Sequence, residues 1–174
     1  MRSNKRLSDC TNINQEKPLN FIFNGKKLQG FEGDTLASAL IANGITLVGR
    51  SFKYHRPRGI MAAGSEEANA LVQLEPNSAK TLANIQATKI KLYEGLKAES
   101  VNCWPSPSLD LMAINSLFHK ILPAGFYYKT FMWPAKAWKF YEYFIRRAAG
   151  LGKAPNEADP DIYDKINIYC DVLI

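Results

Sequence analysis

Alternating apolar and polar residues near the start of the chain predict a β-hairpin. Over residues 19–24, a leucine and two phenylalanines alternate with Asn, Ile and Asn, and residues 26–31 continue the pattern with Leu28 and Phe31. Alternation of this kind is typical of half-buried strands. Asn24-Gly25 separates the two runs and favours the positive φ angles of a type I′ turn. The turn predicts that the two strands pair in an antiparallel register.

A short helix is predicted next, between Gly33 and Gly44, where apolar residues recur at helical spacing. Asp34 or Thr35 is the expected N-cap, and Gly44 is the expected stop. Further strands are predicted around residues 70–74 and 85–92. Two strands, one helix and later strands are the element order of a β-grasp domain, in which a mixed sheet curls around a helix. We therefore predict an α+β fold with a β-grasp domain over residues 18–100.

The pattern changes near residue 100, and residues 101–165 are predicted to form a mostly helical connector rich in Pro and aromatic residues. Short helical stretches are expected at Leu109–Lys120 and from Pro134 to Ala149, because Pro suits the first position of a helix. The second helix has an apolar stripe, formed by Trp138, Tyr141, Phe144, Ile145 and Ala148. The last run, residues 166–174, is predicted to be a buried parallel strand, since it ends in apolar and β-branched residues.

Composition narrows the class of protein. The chain has 174 residues, a formal charge of +6 and 47% hydrophobic residues, which is ordinary for a globular protein. Three separated cysteines argue against a disulfide framework and favour a reducing compartment. Residues 1–17 are polar and resemble a flexible leader rather than a signal peptide. These features predict a cytoplasmic protein with neither a membrane nor a nucleic acid as its partner.

The densest group of polar residues lies in residues 48–59, which we call the arginine loop. Arg50, Lys53, Arg56 and Arg58 alternate there with aromatic residues and could bind a pyrophosphate or an acidic face of another subunit. A solvated basic loop or a cluster of interdomain ion pairs is an equally good interpretation. His55 is expected to be a hydrogen-bonded surface residue, and no catalytic residue is predicted in the chain.

The segment 60–72 follows the arginine loop at the place where a β-grasp ferredoxin carries the C-x₄-C-x₂-C loop of its cluster. No cysteine occurs in this segment. Because such clusters are held by thiolates, we predict that the chain binds no 2Fe-2S cluster and no other metal. A ferredoxin-like electron carrier is excluded on the same ground.

Several longer motifs resemble the N-terminal region of the α subunit of heterotetrameric sarcosine oxidase. They cover nearly the whole chain after the leader: GDTLASAL (33–40), VGRSFKYHRPRG (48–59), AGSEEANA (63–70), WPS (104–106), LPAGFYYKTFMWP (122–134), IRRAAGLG (145–152) and YCDVLI (169–174). In that family the last motif leads into the Gly-rich turn of a Rossmann domain. The resemblance therefore predicts an N-terminal fragment that ends in the first strand of a truncated dinucleotide-binding domain, residues 166–174.

The resemblance implies a role in the oxidative demethylation of sarcosine to glycine. The one-carbon unit passes to tetrahydrofolate or leaves as formaldehyde, and oxygen is reduced to hydrogen peroxide. The full assembly is expected to hold NAD, FAD, FMN and tetrahydrofolate, whereas this segment is expected to hold no cofactor. Its expected partners are the rest of the α subunit and the β, γ and δ subunits.

Two alternatives remain open from the sequence. The chain could belong to an α-type subunit of a related heterotetrameric amine or opine dehydrogenase. It could also be a stand-alone basic module, in which the arginine loop and the aromatic-basic stretch 126–147 bind an anionic surface or RNA. The helical spacing of the aromatic residues favours a packing stripe over a stacking platform.

Overall fold

A computed structural model describes residues 6, 12–120, 133–149, 152–167 and 169–172 of the chain. Within these residues the strands are β1 (Asn14–Phe23), β2 (Lys26–Glu32), β3 (Gly49–Arg50), β4 (Pro57–Arg58), β5 (Leu71–Leu74), β6 (Leu82–Gln86) and β7 (Lys97–Ser100). The α-helices are α1 (Leu36–Ala42) and α2 (Trp138–Ala149), and 3₁₀ helices span Leu111–Phe118 and Ala135–Ala137.

Five strands form one mixed sheet in the order β2-β1-β7-β5-β6. β1 and β7 are parallel, while the other neighbouring pairs are antiparallel. The sheet and α1 share an apolar core, in which Phe21, Leu36, Leu40 and Leu96 are almost fully buried. A mixed sheet with few helices confirms the predicted α+β class.

The predicted hairpin is confirmed. β1 and β2 pair from Phe23↔Lys26 to Leu19↔Gly30, and both turn residues have positive φ, 51° at Asn24 and 75° at Gly25. β1 begins at Asn14, which lies inside the range expected to be a flexible leader. Arg6, also in that range, forms an ion pair with the buried carboxylate of Asp34 and lies over the ring of Phe31.

The helix predicted between Gly33 and Gly44 is also confirmed, and Thr35 is its N-cap. The Thr35 hydroxyl accepts from the Ser38 N–H at 3.2 Å, and the Ser38 hydroxyl accepts from the Thr35 N–H at 3.0 Å, which is a capping box. The other candidate, Asp34, is fully buried and accepts hydrogen bonds from the Phe31 N–H and the Ser38 hydroxyl.

The strand predicted at residues 85–92 is wrong from residue 87 onward, because β6 spans Leu82–Gln86. The following residues turn toward the start of α1 instead. The Leu36 N–H donates to the Ile90 carbonyl at 2.8 Å, and the Ala37 N–H donates to the Ala87 carbonyl at 3.0 Å. Ala87, Ile90 and Leu92 are buried because this stretch covers the first turn of α1 and accepts its N–H groups.

Residues 101–165, predicted to form the connector, contain two short 3₁₀ helices and α2 in the described part of the chain. The first 3₁₀ helix lies inside the predicted range 109–120, and Pro134 is the N-cap of the second 3₁₀ helix, which leads into α2. Tyr141 and Ile145 of the predicted stripe are half-buried, whereas Trp138 is exposed. Most of the motif at 122–134 falls outside the described residues.

The predicted final strand is not found in the described residues of its range, 166–167 and 169–172, which form no strand and are exposed. A buried parallel strand takes its hydrogen bonds from neighbouring strands, and in the described part of the chain none pairs with this run. Its assignment to a dinucleotide-binding domain stays a prediction.

Candidate functional site

The arginine loop is a small hairpin rather than an irregular loop. β3 and β4 pair through Gly49↔Arg58 and Arg50↔Pro57. The connection between them is closed by a hydrogen bond from the Ser51 N–H to the Arg56 carbonyl at 2.9 Å. The predicted cations are therefore held on one hairpin, with Arg50 and Arg58 at its base.

Arg50 faces the protein and joins the hairpin to the connector. Its Nε donates to the Pro107 carbonyl at 2.7 Å, and its Nη1 donates to the His55 carbonyl at 2.9 Å. The Arg50 side chain thus bridges two backbone segments that are 52 residues apart. These two hydrogen bonds stabilise the position of the connector against the hairpin.

His55 is buried, with 4% of its surface exposed, so its predicted place at the surface is wrong. Its Nδ1 lies 2.7 Å from Oδ2 of Asp110, which is also buried. The other carboxylate oxygen of Asp110 accepts from the N–H groups of Trp104 at 3.1 Å and Met112 at 3.2 Å. The His55–Asp110 pair is a second contact between the arginine loop and the connector.

The remaining cations differ in their surroundings. Arg58 is half-buried and hydrogen-bonds the side chain of Asn69. Lys53 and Arg56 lie against Tyr54, with the Lys53 Nζ 4.9 Å and the Arg56 Cζ 5.0 Å from the centre of its ring. Arg56 is exposed. Arg56 is thus the cation of the loop whose exposure best suits contact with an anion from outside.

The 60–72 segment surrounds the buried side chain of Glu67, which is 1% exposed. Its carboxylate accepts four backbone hydrogen bonds, from the N–H groups of Met61 (2.6 Å), Ala62 (2.7 Å), Asn69 (2.6 Å) and Ala70 (3.0 Å). Burial alone would raise the pKa of Glu67, but these hydrogen bonds outweigh it and lower the pKa from 4.5 to about 2.

The residues of this segment do not fit an iron-sulfur cluster. Such clusters need cysteine thiolates, and the space enclosed by residues 60–72 is filled by a carboxylate that already has its hydrogen-bond donors. Among the described residues, no group of three or more His, Cys, Asp or Glu side chains is placed to hold a metal ion.

The three cysteines of the chain lie outside the 60–72 segment. Cys103 is a free thiol near Asp110, and burial together with the negative charge of Asp110 raises its pKa to about 11 despite the opposing effect of Arg50. A thiol with this pKa is protonated at neutral pH and is a poor nucleophile or metal ligand. Cys170 is exposed and free, and Cys10 falls outside the described residues.

A separate cleft of about 440 Å³ lies between the β5 and β7 side of the sheet and residues 152–157. Gln73 joins the two walls, since its side chain donates to the Lys153 carbonyl and accepts from the Lys153 N–H, both at 3.0 Å. Asn102 lines the cleft, and its Oδ1 is a buried atom without a hydrogen-bond partner. No pattern in the sequence indicates this cleft, because its walls are far apart along the chain.

None of the helices within residues 12–120 and 133–149 has the length and apolar character needed to cross a bilayer.

One known relative is similar along almost the whole chain, and another along about half of it. The chain is 57% identical over 173 residues to the sarcosine oxidase subunit alpha of Rhizobium meliloti (strain 1021), an alignment that covers 99% of this chain and 17% of that protein. It is 39% identical over 88 residues to the sarcosine oxidase subunit alpha of Corynebacterium sp. (strain U-96), covering 49% of this chain and 9% of that protein. The chain thus spans less than a fifth of each relative.

Among solved structures, an L-proline dehydrogenase from P. horikoshii aligns with 48% of this chain and 15% of its own, at 27% identity and a TM-score of 0.38. The model of the 2Fe-2S iron-sulfur cluster binding domain matches residues 16–103, half of the chain. The chain belongs to the family of 2Fe-2S iron-sulfur cluster binding domains, in a form that lacks the cluster's cysteines and resembles the N-terminal region of sarcosine oxidase α subunits.

Proposed function

We propose that the chain is the N-terminal region of the α subunit of a sarcosine oxidase, an oxidoreductase acting on CH-NH groups. The observation that carries the proposal is the 57% identity over 173 residues, which extends through the arginine loop and the connector. The enzyme demethylates sarcosine oxidatively to glycine in the cytoplasm, and the one-carbon unit passes to tetrahydrofolate or leaves as formaldehyde. NAD, FAD, FMN and tetrahydrofolate bind to other parts of an α, β, γ and δ assembly.

Within that enzyme this region has a structural role. Arg50 and the His55–Asp110 pair fix the connector to the β-grasp domain and so set the direction in which the chain continues. The connector also exposes many large apolar side chains: Trp104, Leu109, Leu111, Ile114, Leu117, Phe118, Trp133, Trp138, Phe140 and Tyr143. Exposed apolar residues in such number are typical of surfaces that pack against other protein. The rest of the α subunit is the partner that best explains them.

Lys53 and Arg56 are the proposed contact of this region with an anion. Arg50 and Arg58 hydrogen-bond within the chain, whereas Arg56 is exposed. The Lys53 Nζ and the Arg56 Cζ lie 4.9 Å and 5.0 Å from the centre of the Tyr54 ring. An arginine and a lysine on a rigid hairpin suit a phosphate of a bound nucleotide or a carboxylate on a neighbouring subunit.

Replacing Lys53 and Arg56 together with alanine in the assembled oxidase is expected to weaken cofactor retention or subunit association by about tenfold or more, the effect of losing charged hydrogen bonds. Flavin and NAD content after gel filtration, and the subunit ratio, measure it. The control is Lys26→Ala with Lys27→Ala, which removes the same charge from exposed positions of the β1-β2 hairpin. Equal cofactor content and equal assembly in both double variants would contradict an anion contact at this loop.

A further inference from the structure

The 60–72 segment is organised around one carboxylate. The Met61 and Ala62 N–H groups donate to Oε2 of Glu67, and the Asn69 and Ala70 N–H groups donate to Oε1. Each oxygen therefore receives two backbone hydrogen bonds. None of the ion pairs in the described part of the chain includes Glu67, so its charge is balanced by peptide dipoles.

Side chains from β6 and the turn after it hold the segment in place. The Gln86 amide donates to the carbonyls of Ser65 at 2.9 Å and Glu67 at 2.7 Å, and the Thr88 hydroxyl donates to the Gly64 carbonyl at 2.7 Å. The donors that face Glu67 therefore belong to a loop that is fixed on its other side. A concave group of backbone N–H donors of this kind, called a nest, binds anions in many proteins.

We propose that the 60–72 segment is an anion-binding nest that the chain fills with its own Glu67 carboxylate. The nest lies where a ferredoxin would place its cluster, and Glu67 is the residue that lets the loop fold without a metal. The ligand class that the nest accepts is a small carboxylate. The inference concerns this loop alone and holds whether or not the chain belongs to a sarcosine oxidase.

The first test removes the Glu67 carboxylate from the nest and then supplies acetate in its place. Glu67→Ala removes the atoms of one acetate ion, so we expect the variant to melt at a lower temperature and sodium acetate to raise its melting temperature by at least about 4 °C. Acetamide has the same size without the charge and is expected to have no effect. Sodium gluconate at equal ionic strength controls for screening, because that anion is too large for the space left by the side chain.

The matched control variant is Glu66→Ala, since Glu66 is the exposed neighbour of Glu67. We expect neither its stability nor its response to acetate to differ from those of the unmodified chain. If acetate stabilises Glu67→Ala no more than gluconate or acetamide does, the segment is not an anion site. The intact chain is used throughout, so the loop is tested with all its packing partners present.

A second variant keeps the proposal testable if Glu67→Ala does not fold. Glu67→Gln retains the shape but directs an NH₂ group at two N–H donors, so we expect it to be less stable than the unmodified chain at pH 7. Because the folded pKa lies below that of the unfolded chain, the stability from Glu67 is complete above about pH 4.5 and falls as the pH drops toward 2. The difference between Glu67→Gln and the unmodified chain should shrink over that range. A Gln variant as stable as the unmodified chain at pH 7 would overturn the proposal.

Discussion

Replacing Asp110 with alanine is expected to lower the free energy of unfolding by about 3 kcal/mol or more, because each buried donor left without an acceptor costs about 1–3 kcal/mol. The Asp110 carboxylate contacts His55 Nδ1 at 2.7 Å and accepts from the N–H groups of Trp104 and Met112. Its loss leaves a buried imidazole and two N–H groups without their acceptor. Urea unfolding of the intact chain measures the change. Limited proteolysis is expected to cut faster near residues 103–120, where the connector loses its anchor.

The control for this variant is Asp161→Ala, which breaks the ion pair between Lys80 and Asp161. Both side chains of that pair are about half exposed, and exposed ion pairs contribute little to stability. We expect Asp161→Ala to lower the free energy of unfolding much less than Asp110→Ala does. If Asp110→Ala were no more destabilising than Asp161→Ala, the His55–Asp110 pair would not be what holds the connector to the arginine loop.

The second large effect is expected at Leu40, which is fully buried in the last turns of α1. Leu40→Ala leaves a cavity between α1 and the sheet and is expected to cost about 2–5 kcal/mol of unfolding free energy. The neighbouring residue Ile41 is 40% exposed and provides a control on the same helix. Ile41→Ala removes a similar apolar volume and is expected to cost less than half as much, by the same urea titration.

Equal losses for Leu40→Ala and Ile41→Ala would contradict the orientation of α1 described above. The comparison separates core packing from helix propensity, because both variants replace a larger apolar residue with the strongest helix former. A loss confined to Leu40 would support a core in which one face of α1 covers the mixed sheet.

The elements that follow from local chemistry could be predicted from the sequence. Asn24-Gly25 requires positive φ at two positions, and this places the β1-β2 turn without any knowledge of the rest of the chain. Thr35 and Ser38 form a capping box from residues three apart. The 60–72 segment has no cysteine, and this fact of the sequence alone argues against an iron-sulfur cluster.

The contacts that depend on distant residues could not be predicted. His55 and Asp110 are 55 residues apart, and no periodicity links a loop histidine to the N-cap of a 3₁₀ helix in the connector. Residues 87–92 fall within a predicted strand, yet the Ala87 and Ile90 carbonyls accept the first N–H groups of α1. In both cases tertiary contacts decide what a locally ambiguous segment does.

Glu66 and Glu67 show, within a single motif, that the sequence alone does not reveal which residue tertiary contacts will bury. Both lie in a run of small and polar residues, and nothing in the run indicates which one turns inward. The structure buries Glu67 among four N–H donors and leaves Glu66 exposed. A buried carboxylate without a cationic partner is rare. The N–H groups that donate to Glu67 become visible only in three dimensions.

The size of the native polypeptide shows whether this chain is part of an oxidase α subunit. An antibody against this segment is used on a denaturing gel of extracts from the source cell, and the same antibody then precipitates the native protein for a sarcosine-dependent oxygen-uptake assay. We predict a band several times heavier than 19.5 kDa and sarcosine oxidase activity in the precipitate. A band near 19.5 kDa without such activity would contradict the assignment to an oxidase α subunit and favour a stand-alone basic module.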